Sequence, residues 1–177
     1  MKRALRPFLG LGVALVFVSC GVVPTPPVNI ADVTVDLQPS ALALGRVLYV
    51  RQDALGGSQV PQVLQQLSVT GEARYSSLGG NLSQVSVYVR SSLDGLPSTC
   101  TALSPSLVAC EAGGEASRSV GTLNLAPGQN RPFTLSGPAL DEAGKAGHAY
   151  FGLRAASGDS LTGEQLRLTG MQARARF

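Results

Sequence analysis

The chain has 177 residues, a formal net charge of +3, three cysteines, one histidine and no tryptophan. That length suits one domain with a real core. A lone histidine excludes a His-rich metal centre, and 14 basic residues scattered against 11 acidic ones leave no basic stripe for a nucleic acid.

The first segment is an export signal by its pattern. Lys2, Arg3 and Arg6 precede an apolar and glycine run from Phe8 to Val18. At about 1.5 Å per residue that run covers only about half of a ~30 Å hydrocarbon core, and Pro24 stops any continuing helix. A charged start, a short apolar stretch and a small residue before the break mark a signal rather than a permanent membrane span.

The end of that signal, Phe17-Val18-Ser19-Cys20, resembles the lipobox of bacterial lipoproteins. The resemblance implies diacylglycerol on the Cys20 thiol, cleavage before it, and acylation of the new N-terminus by a palmitate-like chain. Residues 1–19 are then signal, residues 20–31 a lipidated cysteine with a proline-rich linker, and residues 32–177 the folded domain. Membrane lipid is the implied partner through Cys20. The location is the bacterial cell envelope outside the cytoplasm, on the outer membrane of a diderm cell because Gly21 is not aspartate. The alternative is ordinary signal cleavage with Cys20 lost or left free. Either cut removes Lys2, Arg3 and Arg6, so the positive charge belongs to the precursor and the mature chain is balanced.

Gly21–Ala31 contains three prolines and reads as an extended spacer of about 3.1 Å per residue, reaching roughly 20–35 Å. Beyond it the period is two. Val33, Val35 and Leu37 alternate with polar residues. In Val63–Tyr75, Val63, Leu67, Val69, Ala73 and Tyr75 share a face, and Val85, Val87 and Val89 share another. Such alternation predicts strands with one buried and one wet face. Val47-Leu48-Tyr49-Val50 is apolar on both parities, which predicts a strand covered on both sides.

Further strands are expected at Val120–Leu125, Pro132–Ser136, His148–Ala155 and Gln165–Phe177, with Asp141–Gly147 as one of the turns or loops between them. In the last strand the apolar parity changes, from Leu166 and Leu168 to Met171, Ala173, Ala175 and Phe177. Gly170 sits at the change and predicts a β-bulge. The whole pattern is all-β, a single antiparallel β-sandwich of immunoglobulin-like or jelly-roll type. Asn124–Pro138, NLAPGQNRPFTLSGP, is similar to a hairpin of bacterial extracytoplasmic immunoglobulin-like domains, which implies the first type. Alternation running to Phe177 also resembles the closing strand of a small outer-membrane β-barrel, although aromatics are too scarce for its girdles.

Cys100 and Cys110 flank TALSPSLVA. With Ser104-Pro105-Ser106 as a turn they fall opposite each other, and Thr101, Ala102 and Leu103 oppose Ala109, Val108 and Leu107. Opposed residues lie within disulfide reach, and export favours the oxidised bond.

No pattern for catalysis, cofactor or metal stands out. His148 could act as a general base beside a serine, giving an extracytoplasmic hydrolase with a loop-borne site, but it begins an apolar strand as an ordinary edge histidine would. Asp141 and Glu142 lack the spacing of a calcium loop. The expected protein is non-catalytic. It is an envelope-anchored sandwich that binds a protein or glycan, or supports an assembly, through end loops such as Arg90–Thr99.

Overall fold

A computed structural model describes residues 25–38, 45–58, 61 and 65–176. The signal, Cys20, Gly21–Pro24, Val63 and Phe177 lie outside the described residues. Strands β1 (Val28–Asn29), β2 (Val33–Asp36), β3 (Arg46–Asp53), β4 (Gln65–Ser76) and β5 (Gln84–Arg90) come first. The hairpin β6 (Cys100–Ser104) and β7 (Leu107–Glu111) and a 3₁₀ helix (Ala112–Arg118) follow. The rest is β8 (Ser119–Asn124), β9 (Asn130–Ser136), helix α1 (Pro138–Ala146), β10 (Tyr150–Ser157) and β11 (Gln165–Arg176).

The strands form two open antiparallel sheets. One runs β1-β11-β4-β9 with β2 also on β11, and the other runs β6-β7-β3-β10-β5-β8. The pairings β2·β11, β3·β10, β4·β9 and β5·β8 are those of one long hairpin. Added pairings β11·β4 and β10·β5 roll that hairpin into two facing sheets. This nesting is jelly-roll topology, with the β6–β7 hairpin inserted between β5 and β8. It is neither the immunoglobulin order nor a closed barrel. Asn124–Pro138 accordingly passes from β8 in one sheet to β9 in the other.

The predicted parities hold in the described strands. Val33, Val35, Leu67, Val69, Ala73, Tyr75, Val85, Val87 and Val89 are all buried between the sheets. Val47, Leu48, Tyr49 and Val50 are buried on both parities, because the 3₁₀ helix and the 93–100 loop cover the outer face of β3. Tyr88 is buried there too, on the opposite face of β5 from Val85, Val87 and Val89.

Gly170 is the bulge. Its φ is +58°, and the β11–β4 register slips between Thr169↔Glu72 and Gln172↔Thr70. Leu166, Leu168, Met171, Ala173 and Ala175 are all buried as a result. Gly71 opposes the bulge, where a Cβ would stand 2.9 Å from the Phe133 ring and 3.0 Å from the Thr169 carbonyl.

Three expectations need correction. Asp141–Gly147 is helical rather than a loop. Pro138 occupies the first turn, Ala139, Leu140 and Ala143 are buried on one face, and Gly147 closes the helix in the left-handed region at φ 79°. The turn of the β6–β7 hairpin is shifted, so that Ser104 rather than Leu103 opposes Leu107. Finally, the described part of the expected spacer is docked. The Thr25 amide donates to the Ala175 carbonyl at 2.9 Å, Val28 and Asn29 pair with Ala173 and Gln172, and Ile30 is buried. Polyproline character did not prevent residues 25–31 from completing the sheet edge.

Candidate functional site

The cysteine hairpin sits beside a buried polar cluster built around Glu115. Cys100 and Cys110 are joined by a disulfide across opposed positions of β6 and β7. Beside it, on the outer face of the larger sheet, Val47, Tyr49, Tyr88, Val108 and Cys110 form a second core, with Leu93 and Leu96 packed on it. The loop singled out for recognition therefore turns its two leucines inward, and its polar residues Ser92, Asp94, Ser98 and Thr99, with Gly95 and Pro97, are exposed.

Glu115, on the 3₁₀ helix, reaches into this second core. It accepts from Arg90 Nε at 2.9 Å and Nη2 at 2.6 Å, and from the Tyr49 hydroxyl at 2.7 Å. The Arg90 guanidinium also lies over the Tyr49 ring, 5.6 Å from its centre. Burial pushes the Glu115 carboxyl up, but the Arg90 and Tyr49 hydrogen bonds outweigh it and bring it below the ordinary value. Burial, with the neighbouring carboxylate, drives the Tyr49 hydroxyl well above its usual range. A phenol so held is a donor to Glu115 and not a base. Glu115 also approaches both cysteine sulfurs, but the disulfide leaves no thiolate there to hold a metal.

At one end of the sandwich a second buried acid organises two loops. Glu164 accepts hydrogen bonds from the Tyr75 hydroxyl, from Ser77 Oγ at 3.2 Å, and from the amides of Leu78, Gly80 and Leu161 at 2.7, 2.7 and 2.8 Å. Burial opposes its charge. The Tyr75 hydroxyl and the three amides prevail, and its pKa falls to about 2. The loops it ties together present Leu78, 73 % exposed, and Leu161 at their tips.

His148 lies at the other end. Its Nδ1 is 2.7 Å from Asp53 Oδ2, while Asp53 Oδ1 accepts from the amides of Leu55 and Ala149 at 3.0 Å each. Burial raises the Asp53 carboxyl, and the His148 and backbone hydrogen bonds more than reverse this to lower it. The His148 side chain is 50 % exposed. Among the described residues no serine is hydrogen-bonded to its ring.

Asp141 and Glu142 do not converge on a common point. Asp141 Oδ1 accepts the Leu67 amide at 2.6 Å, while Glu142 takes Ser91 Oγ at 3.0 Å and Arg118 at 2.6 Å. Arg174 and Arg176 are exposed on β11, a strand that β1, β2 and β4 flank.

Two hollows are notable. A polar groove of about 510 Å³ is lined by Gln66, Ser68, Thr134, Ser136, Asp141 and Arg176 among others. A smaller apolar pocket of about 100 Å³ is lined mainly by Val28, Leu55, Leu67, Ala173 and Ala175, with Thr25 at its margin. Neither acid cluster was visible in the strand alternation, because Glu115 and Glu164 lie in glycine-rich connecting segments.

These features define a jelly-roll β-sandwich with a stapled hairpin. No protein-family model, curated protein or solved structure was found to match the chain.

Proposed function

We propose that this is a lipid-anchored envelope protein, exported and held by acylated Cys20, whose jelly-roll domain binds or supports a protein or glycan partner without catalysing a reaction. The observation that carries the reading is the lipobox-like Val18-Ser19-Cys20 behind a charged, apolar leader. The disulfide between Cys100 and Cys110 supports it, since Cys20 is then the one thiol left for modification. The outer membrane is the destination in a diderm cell.

With Thr25 docked on β11, the tether is Gly21–Pro24, and a fully extended chain spans at most about 18 Å from Cys20 to Thr25. The domain then stands close to the lipid surface. A hydrolase would need His148 enclosed beside a serine. The half-exposed ring and its Asp53 partner support an ordinary surface pair instead.

Mass spectrometry of the N-terminal peptide from native membranes tests the anchor. The expected species begins at Cys20 and carries diacylglyceryl and acyl mass, and Cys20→Ser releases the protein from the membrane. A mature N-terminus elsewhere, or an unmodified Cys20, would overturn the reading.

A further inference from the structure

The apolar pocket lies at the end of the sandwich where the described chain begins. Thr25 pairs with Ala175 at the C-terminal end of β11, and both residues line the pocket. Val28, at its margin, is 58 % exposed, an unusual position for a valine whose neighbours are Leu55, Leu67, Ala173 and Ala175. The exposed Leu78 belongs to the opposite end. Its amide binds Glu164, which immediately precedes β11, and β11 separates the two ends by about 35 Å at strand rise.

Resting on the lipid-anchor reading above, we propose that the pocket end is the membrane-facing pole. The Val28–Leu55 pocket there receives hydrocarbon from the bilayer. Five residue steps separate Cys20 from Thr25, and a fully extended chain spans at most about 18 Å over that distance. An acylated Cys20 therefore keeps the pocket within reach of the bilayer surface. The size of the pocket argues in the same direction. At about 100 Å³ it is well below the roughly 300 Å³ of a small-molecule site, but it can take the end of an acyl chain. Its lining adds the neutral polar residues Thr25, Asn29 and Ser58 and no charged side chain, so contact with lipid would cover Val28 without stranding a buried charge.

The test uses the full-length acylated protein in phosphatidylcholine vesicles with brominated acyl chains, which quench nearby fluorophores. With Cys20 acylated and Cys100–Cys110 oxidised, an introduced cysteine is the free thiol for a small environment-sensitive label. Val28→Cys sits on an exposed position, and Leu78→Cys serves as the far-end control. The label at Val28→Cys should lose about half its intensity relative to unbrominated vesicles, and the label at Leu78→Cys should keep its own, as expected for a depth of ~5–10 Å into the lipid boundary at one pole only. An acylated protein whose Val28→Cys label is unquenched, or whose two labels are quenched alike, would overturn the membrane-facing pole and leave the anchor standing. Mass spectrometry of the same preparation separates the other failure: an unacylated Cys20 would overturn the anchor and this inference together.

Discussion

Arg90 holds Glu115 by two parallel hydrogen bonds, 2.9 and 2.6 Å long, and so fastens the 3₁₀ helix to the outer face of the larger sheet. The Glu115 side chain is 2 % exposed and that of Arg90 15 %, so removing either partner strands a charge out of water. Arg90→Met or Glu115→Gln should each destabilise the domain by about 3 kcal/mol, at the lower end of the cost of breaking buried pairs. Arg90→Met combined with Glu115→Gln should cost less than the two singles together. Denaturant unfolding of the four-protein cycle checks this, and strictly additive losses would show that the pair is not coupled.

The disulfide closes a sequence separation of 10 within a hairpin that also has backbone pairing. Loop-entropy arithmetic gives about 2.5–3 kcal/mol for so short a ring, an upper figure where the hairpin forms unaided. Cys100→Ser with Cys110→Ser should therefore lower stability by about 1–3 kcal/mol and leave the circular-dichroism spectrum of the β-sandwich intact. A lost spectrum would mean that the bond is needed for folding itself.

Local alternation made the strands legible, and long-range pairing remained hidden. Val85, Val87 and Val89 announce a buried face, and Gly170 announces its bulge, because both signals lie within a few neighbouring residues. The choice between immunoglobulin-like and jelly-roll order depends on which distant strands meet, such as β2 with β11, and a period of two carries no such information. Helix α1 was missed because nine residues carry little periodicity, although Pro138 at its start and Gly147 past its end are a legible pair. The buried acids were the least visible. Glu115 in AGGEASR and Glu164 in LTGEQ look like solvated loop residues until tertiary contacts enclose them.

Two glycines separate backbone conformation from space. Gly170 has φ +58° with nothing within 4 Å of an added Cβ, so Gly170→Ala should cost only the conformational penalty, about 1–2 kcal/mol. At Gly152 a Cβ would meet the Tyr49 ring at 2.5 and 2.7 Å, in the middle of a paired strand. Gly152→Ala should cost about 3 kcal/mol, the upper end of overpacking, more than Gly170→Ala, and displace Tyr49 from Glu115. Thermal melts of both variants check the order, and a milder Gly152→Ala would show that Tyr49 moves freely.

Glu164 gives a pH dependence whose sign follows from its hydrogen bonds. Its folded pKa falls from the ordinary 4.5 to about 2, so the folded state favours the charged form. The resulting stability is fully present above the ordinary carboxylate range and is lost progressively as pH falls from about 4.5 towards about 2. Glu164→Gln removes the charge and replaces one acceptor oxygen with an NH₂ donor, which then faces hydroxyl or amide donors from Tyr75, Ser77, Leu78, Gly80 or Leu161. Leaving one or two of these unsatisfied should cost about 2–4 kcal/mol at neutral pH. The loss of stability between pH 4.5 and 2 should also be shallower in the variant than in the parent protein. Unfolding measured across that range distinguishes the two effects, and parallel pH profiles would assign the acid sensitivity to other carboxylates.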